Sequence, residues 1–151
     1  MARVDILKPV YVQYIPPADS IKAGELYISL EFQTTVHKCC CGCGLEVVTP
    51  LNPAQWKISN RNGKVSIYPS IGNWSYPCQS HYFIRDNRVV WAEAFSEAAI
   101  KRVQTSDKQA LDRYIANQNA VSQTPSGILQ HIFAAFSAAT AKIRDLFRGN
   151  K

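Results

Sequence analysis

The chain has 151 residues, of which 46% are hydrophobic and 19% are charged. This length fits one ordinary domain with a short appendage, and the composition excludes an intrinsically disordered chain. No apolar run approaches the roughly 20 residues that a membrane-spanning helix needs. Asp5 and Lys8 interrupt any apolar signal core near the start. We therefore expect a cytoplasmic protein that contacts no membrane.

The net charge is +6, from 17 basic and 11 acidic residues, and it is spread evenly along the chain. Such a charge permits contact with nucleic acid but does not favour it. The three Trp and seven Tyr residues offer possible stacking platforms, yet aromatic side chains at strand positions usually pack in a core. A nucleic-acid partner is therefore not expected.

The first ninety residues predict β structure. Residues 26–33 alternate apolar and polar side chains, which is typical of a strand with one buried face. Asn60-Arg61-Asn62-Gly63 and Asp86-Asn87 each separate two β-branched or aromatic runs and predict two hairpins. The segments predicted to be strands are 10–15, 26–33, 45–51, 56–59, 65–68, 81–84 and 88–91.

After residue 92 the composition favours helices. Residues 106–121 predict one helix with Ser106 as its N-cap, and residues 128–147 place apolar side chains along one face of another. We expect this face either to pack on the β domain or to dock a partner. The predicted fold class is α+β: a small zinc-binding antiparallel β domain over residues 1–92, followed by a helical C-terminal region over residues 93–151.

The five cysteines carry the clearest chemical signal. Cys39, Cys40, Cys41 and Cys43 lie within five positions, and Cys78 follows much later. An odd count with no signal peptide argues against a disulfide scaffold, so clustered thiols predict a metal site. Sulfur ligands and glycines that bend the backbone around the thiolates favour zinc.

The sequence leaves several ligand sets open. Along an extended chain, alternate residues point to the same side, and this groups Cys39, Cys41 and Cys43 with His37. The core set is predicted to include Cys78, with His81 and His37 as further candidates. The alternative is a knuckle of Cys40 and Cys43, whose C-x-x-C spacing also occurs in thiol oxidoreductases. The candidate metal ligands are Cys39, Cys41, Cys43, Cys78, His81 and His37.

Two motifs carry a resemblance to a known family. Residues 37–44 read HKCCCGCG, and residues 69–81 read PSIGNWSYPCQSH. They resemble a bacterial family of unknown function with the motifs H-x-C-x-C-G-C-G and P-S-I-G-N-W-S-[FY]-P-C-x-S-H. The resemblance implies a metal-binding protein encoded beside ubiquitin-like modifiers and their E1- and E2-like enzymes, with a role in antiviral defence. The middle cysteine varies in that family, which disfavours Cys40 as a ligand.

Two functions from different classes follow, and the sequence leaves open whether the protein is an enzyme. The first is a zinc-binding accessory protein that recognises a ubiquitin-like modifier or its conjugating enzyme, by analogy with eukaryotic zinc modules. The second is a zinc-dependent hydrolase that processes or removes the modifier, with Glu46 as general base. Ser80 and His81, beside Cys78, are further contributors in that second reading.

Overall fold

The computed structural model describes residues 2–122. The chain divides into two compact units, residues 1–111 and residues 112–151. The helix predicted over residues 128–147 lies outside the described residues. No helix within residues 2–122 is long and apolar enough to cross a membrane.

The first sheet contains four strands in sequence order, β1 to β4. Strand β1 runs parallel to β2, whereas β2, β3 and β4 pair antiparallel. A short 3-10 helix at Ala18–Ser20 lies in the connection that makes the parallel pairing possible. The strands are β1 (Lys8–Tyr11), β2 (Glu25–Ser29), β3 (Thr34–Lys38) and β4 (Glu46–Pro50).

The second sheet contains four antiparallel strands, β5 to β8, also in sequence order. Its two outer pairs are tight hairpins. The turn residues Asn62 (φ 55°) and Gly63 (φ 81°) adopt positive φ, as do Asp86 (φ 49°) and Asn87 (φ 67°). Two consecutive positive φ angles match the right-handed twist of flanking strands. The strands are β5 (Lys57–Arg61), β6 (Lys64–Gly72), β7 (His81–Arg85) and β8 (Arg88–Trp91).

Side chains from both sheets form the main core. Leu26 and Ile28 of β2 are buried in the same cluster as Ile67, Tyr82 and Ile84 of the second sheet. A smaller cluster covers the other face of β2, where Tyr27 packs with Ile21 and Val36. Strand β2 is therefore buried on both faces, as its continuous burial shows.

Within residues 2–122, one α-helix, α1 (Glu97–Ser122), follows the second sheet. It begins at Ser96, whose carbonyl oxygen accepts from the Ile100 amide at 2.9 Å and whose hydroxyl accepts from the Ala99 amide at 3.3 Å. These bonds satisfy amides that a helix start otherwise leaves free. Ser106, predicted as the N-cap, lies inside the helix.

The α+β class with antiparallel-rich sheets is confirmed. Two local expectations differ from the structure. The segment 26–33 contains one strand and a turn, and β3 then occupies Thr34–Lys38, where no strand was predicted. Gln33 turns the chain with a φ of 46°, and a turn without Gly or Pro leaves little trace in the sequence. The division into domains at residue 92 stays a prediction.

Candidate metal centre and serine–histidine pair

The turn between β3 and β4 carries four of the five cysteines, and three of them belong to one group of thiols. Its ends are joined by the Cys39 amide, which donates to the Leu45 carbonyl at 2.7 Å. Within it, Gly42 (φ 88°) and Gly44 (φ 83°) adopt the left-handed backbone that a side chain disfavours. These two glycines bracket Cys43, so the chain doubles back and brings its thiols together.

Cys78 completes a group of four thiols. It lies in the loop over residues 73–80, which connects β6 to β7. The sulfur atoms of Cys39, Cys41, Cys43 and Cys78 all lie within 4.8 Å of one another. The Cys39 sulfur is 3.4 Å from that of Cys41 and 4.0 Å from that of Cys78, and the Cys43 and Cys78 sulfurs are 3.9 Å apart.

These separations match a tetrahedral metal site. Four sulfurs at a zinc–sulfur distance of about 2.3 Å lie roughly 3.8 Å apart at the corners of a tetrahedron. Four cysteine sulfurs favour a soft or borderline cation and use every position of its tetrahedron, so no position is left for water. The group can therefore hold a metal ion, and its donor chemistry fits zinc in a structural role.

Cys40 lies apart from the four thiols. It is fully buried in the main core, and burial raises the pKa of its thiol to about 12. A thiol with so high a pKa is protonated at neutral pH and is a poor nucleophile. The C-x-x-C pair of Cys40 and Cys43 is therefore not placed for thiol redox chemistry.

The two histidine candidates also lie outside the group of four thiols. His37 is fully buried, its Nε2 is 2.8 Å from the Tyr82 hydroxyl, and burial lowers its pKa to about 4. Its Nδ1 has no hydrogen-bond partner within the described chain. His81 instead contacts a serine hydroxyl and a backbone carbonyl through its two ring nitrogens.

Two buried polar side chains connect the thiols to the loop that ends at β7. The Asn73 amide nitrogen donates to the Ser80 hydroxyl at 2.8 Å and lies 3.6 Å from the Cys39 sulfur. The Ser80 oxygen lies 3.1 Å from the same sulfur. Burial raises the pKa of the Cys78 thiol, but hydrogen bonds from the Ser80 backbone and hydroxyl outweigh it and lower that pKa to about 7. The segment thus favours the thiolate that a metal requires.

A serine–histidine pair lies at the first residue of β7. The Nε2 atom of His81 is 3.0 Å from the Ser70 hydroxyl, and its Nδ1 atom is 3.0 Å from the Glu93 carbonyl oxygen. A carbonyl oxygen only accepts, so Nδ1 carries the proton and Nε2 is free to accept from Ser70. This is the arrangement of a nucleophile and its base, with a third group that fixes the ring.

Local backbone geometry produces this pair. Strand β6 pairs with β7 at Gly72 and His81, but the register shifts between Ile67 and Ile71. The irregularity includes a cis peptide bond before Pro69. A bulge re-aims the side chains of its strand, and here the half-buried Ser70 lies against the ring of His81.

An aromatic wall encloses the histidine. The ring of Trp74 lies 5.0 Å from that of His81, and Phe95 stacks on Trp74 at 5.3 Å with an interplanar angle of 14°. A Cβ atom on Gly72 would overlap with the Trp74 indole, so only glycine fits beneath this ring. The histidine is 7% exposed, and its orientation is fixed from several sides.

Ser70 and His81 both line a cleft of about 480 Å³. Its walls come from the connection before β5, from β6, from the aromatic wall and from the first part of α1. The residues that line it include Trp56, Trp74, Phe95, Val103, Asp107 and Leu111. A cleft of this size with a nucleophile and a base in it is typical of an active site.

Glu46, the base suggested for zinc hydrolysis, is engaged elsewhere. Its carboxylate forms a 3.0 Å ion pair with Lys38, and both side chains are partly exposed. Its backbone carbonyl accepts from the Tyr76 hydroxyl. The carboxylate is thus already paired with Lys38. In addition, the four thiols would leave a bound metal no open position for a water that Glu46 could deprotonate.

Sequence reasoning missed Ser70. Ser70 and His81 are 11 residues apart, and their contact depends on strand register and on the bulge in β6, which no short motif reports. The available signal was the P-S-I-G-N-W string over residues 69–74, which entered the sequence analysis only as a family motif. Ser80, which was singled out, lies instead among the thiols.

One family model matches this chain. The model described as "Bacterial ubiquitination-like system serine protease (BubE)" matches residues 11–92. No curated protein and no solved structure shows a significant match. The family match covers more than half of the chain, so the chain belongs to this family, and the expected association with bacterial ubiquitin-like systems is confirmed.

Proposed function

We propose that this member of a bacterial ubiquitination-like system family is a serine hydrolase that cleaves acyl bonds of a ubiquitin-like modifier. Ser70 is the nucleophile and His81 is the general base. The observation that carries the proposal is the 3.0 Å contact between the Ser70 hydroxyl and His81 Nε2 inside the cleft. The description of the family as a serine protease supports the same reaction class.

The reaction follows the general logic of activated hydroxyls. The Ser70 oxygen attacks the carbonyl carbon while its proton passes to His81 Nε2. The carbon–nitrogen bond then breaks, and the leaving amine takes that proton from His81. Water, deprotonated by the same nitrogen, hydrolyses the acyl ester and returns Ser70 to its hydroxyl form. The Glu93 carbonyl accepts from Nδ1 and holds the tautomer that this sequence of steps requires.

Ser80 is the competing nucleophile, and its surroundings argue against it. It is 6% exposed, accepts from Asn73 and contacts the Cys39 sulfur. Both ring nitrogens of His81 are already paired with other groups. The side-chain partners of Ser80 are thus Asn73 and cysteine sulfurs that would hold the metal, whereas Ser70 contacts the imidazole of His81.

The four thiols have a supporting part in this proposal. Cys39, Cys41, Cys43 and Cys78 would hold zinc, and a four-sulfur site supplies folding energy rather than activated water. Because Cys78 precedes His81 by three residues, the metal would anchor the loop that positions the base. We propose this role in place of a zinc-dependent hydrolase with Glu46 as base.

An accessory binding role is the second candidate, since a closed thiol site is also what a zinc-stabilised binding module would have. In that case the protein would recognise a ubiquitin-like modifier or a conjugating enzyme without cleaving it. The antiviral role implied by the motifs stays a prediction under either function.

A fluorophosphonate probe separates the two candidates. Such a reagent forms a phosphorus–oxygen bond with an activated serine and releases fluoride. We expect mass spectrometry to find the adduct on Ser70, and we expect Ser70→Ala to abolish both labelling and cleavage of a modifier that carries a C-terminal extension. An adduct on Ser80, or cleavage that persists in Ser70→Ala, would contradict the assignment. Binding of the modifier without labelling or cleavage would favour the accessory role.

A further inference from the structure

Several large apolar side chains line the cleft beside Ser70, and they bear on which substrates the proposed hydrolase accepts. Its lining includes the aromatic rings of Trp56, Trp74 and Phe95, together with Val103 and Leu111 of α1. Phe95 is 39% exposed although it is a large apolar side chain. Apolar surface left open beside a nucleophile is surface that a substrate can cover.

The charged groups of the cleft give an acidic substrate no net attraction. Asp107 lines the cleft from α1, and partial desolvation raises the pKa of its carboxyl. A second carboxylate beside it would add repulsion to that cost. Lys108 also lines the cleft, so the helix contributes one charge of each sign and no net attraction for an ion.

Because Ser70 lines the cleft, we expect the acyl part of a substrate to lie in it. The acyl group stays attached to the serine after the leaving group departs, so its side chain must be held close to the nucleophile. A volume of about 480 Å³ accommodates one large side chain and the backbone beside it. The cleft's large apolar lining residues favour an aliphatic or aromatic side chain over a small one.

We propose that the cleft binds a large apolar side chain on the acyl side of the scissile bond, against the aromatic rings and the helix residues Val103 and Leu111 that line it. The substrate class is thus a peptide with Leu-, Phe- or Met-like character at that residue. This inference rests on the proposed hydrolase function and goes further by assigning its specificity.

Nitrophenyl esters of N-acetylated amino acids test the specificity directly. We expect kcat/KM for the phenylalanine and leucine esters to exceed that for the alanine ester by about tenfold or more, the usual scale for filling an apolar pocket. The glutamate ester should be the poorest substrate. Equal rates across the esters, or a preference for the glutamate ester, would overturn the specificity.

A pair of helix variants locates the specificity in this cleft. Val103→Trp fills the space and should lower the phenylalanine-to-alanine ratio at least several-fold. Gln104→Trp places the same bulk on the neighbouring exposed position and should leave the ratio unchanged. If Val103→Trp does not fold by circular dichroism, Val103→Ser provides the same test by removing apolar surface. An unchanged ratio in the Val103 variant overturns the assignment of the cleft.

Fluorophosphonate labelling distinguishes the two possible failures. If Ser70 is labelled but the ester preference is absent, the specificity is wrong and the hydrolase function stands. If Ser70 is not labelled and no ester is turned over, the hydrolase function fails and the specificity fails with it.

Discussion

Ser80→Ala tests the division of labour between the two serines. The substitution removes the oxygen that accepts from Asn73 at 2.8 Å and lies 3.1 Å from the Cys39 sulfur. The Asn73 amide nitrogen would keep its longer 3.6 Å contact to that sulfur. Asn73 is 8% exposed, so little water can replace the lost acceptor.

The magnitude follows from the cost of a buried unsatisfied donor, about 1 to 3 kcal/mol. With a urea m-value of about 2 kcal/mol/M, a loss of about 2 kcal/mol lowers the unfolding midpoint by roughly 1 M. Ser70 and His81 keep their contact, so we expect fluorophosphonate labelling to persist. The assay is urea unfolding followed by circular dichroism, together with mass spectrometry of the labelled protein.

Ser75→Ala is the matched control, because Ser75 lies in the same loop and is exposed. Its free energy of unfolding should stay within about 0.5 kcal/mol of that of the parent protein. The reasoning is refuted if Ser80→Ala unfolds at the parent midpoint while losing the label. That result would make Ser80 the reacting hydroxyl and leave Ser70 without a role.

Three further predictions follow from the metal group and the aromatic wall. A chelator should release zinc and lower the melting temperature in parallel, because four-thiolate zinc binding contributes about 10 kcal/mol or more to folding. Release of zinc with an unchanged melting temperature would contradict a structural role. Gly72→Ala should displace Trp74 from His81 and reduce ester hydrolysis, and hydrolysis at the parent rate would argue against the aromatic wall. Glu46→Gln breaks only the partly exposed ion pair with Lys38, so stability should fall by less than about 1 kcal/mol; loss of hydrolysis with zinc retained would instead restore Glu46 as the base.

The hairpins of the second sheet were predictable because their turns are local. Asn62-Gly63 and Asp86-Asn87 are residues that tolerate positive φ, and each lies between two β-branched runs. The parallel pairing of β1 with β2 was not predictable in the same way. It depends on how a connection of more than a dozen residues packs, and periodicity along one strand contains no information about its neighbour.

The candidate site also contains one part that local sequence predicts and one part that depends on how the strands pair. The thiols of Cys39, Cys41 and Cys43 lie in one turn, so their clustering follows from spacing and from the glycines beside them. The pairing of Ser70 with His81 requires the β6–β7 register and its shift. A histidine three residues after a cysteine resembles a metal ligand in sequence, and only the fold shows that its ring faces the other way.

The loop over residues 73–80 explains why one short motif contains both kinds of residue. It begins beside Gly72, which lies under the Trp74 ring, and it ends at His81, which pairs with Gly72 across the sheet. Between these ends, Cys78 extends to the thiols. In the proposed hydrolase, a loop held at both ends and by metal in the middle would have few conformations left, so its base would be positioned before substrate arrives. Metal binding and catalysis would then be coupled through one segment, and a variant that weakens either should be detected in the other.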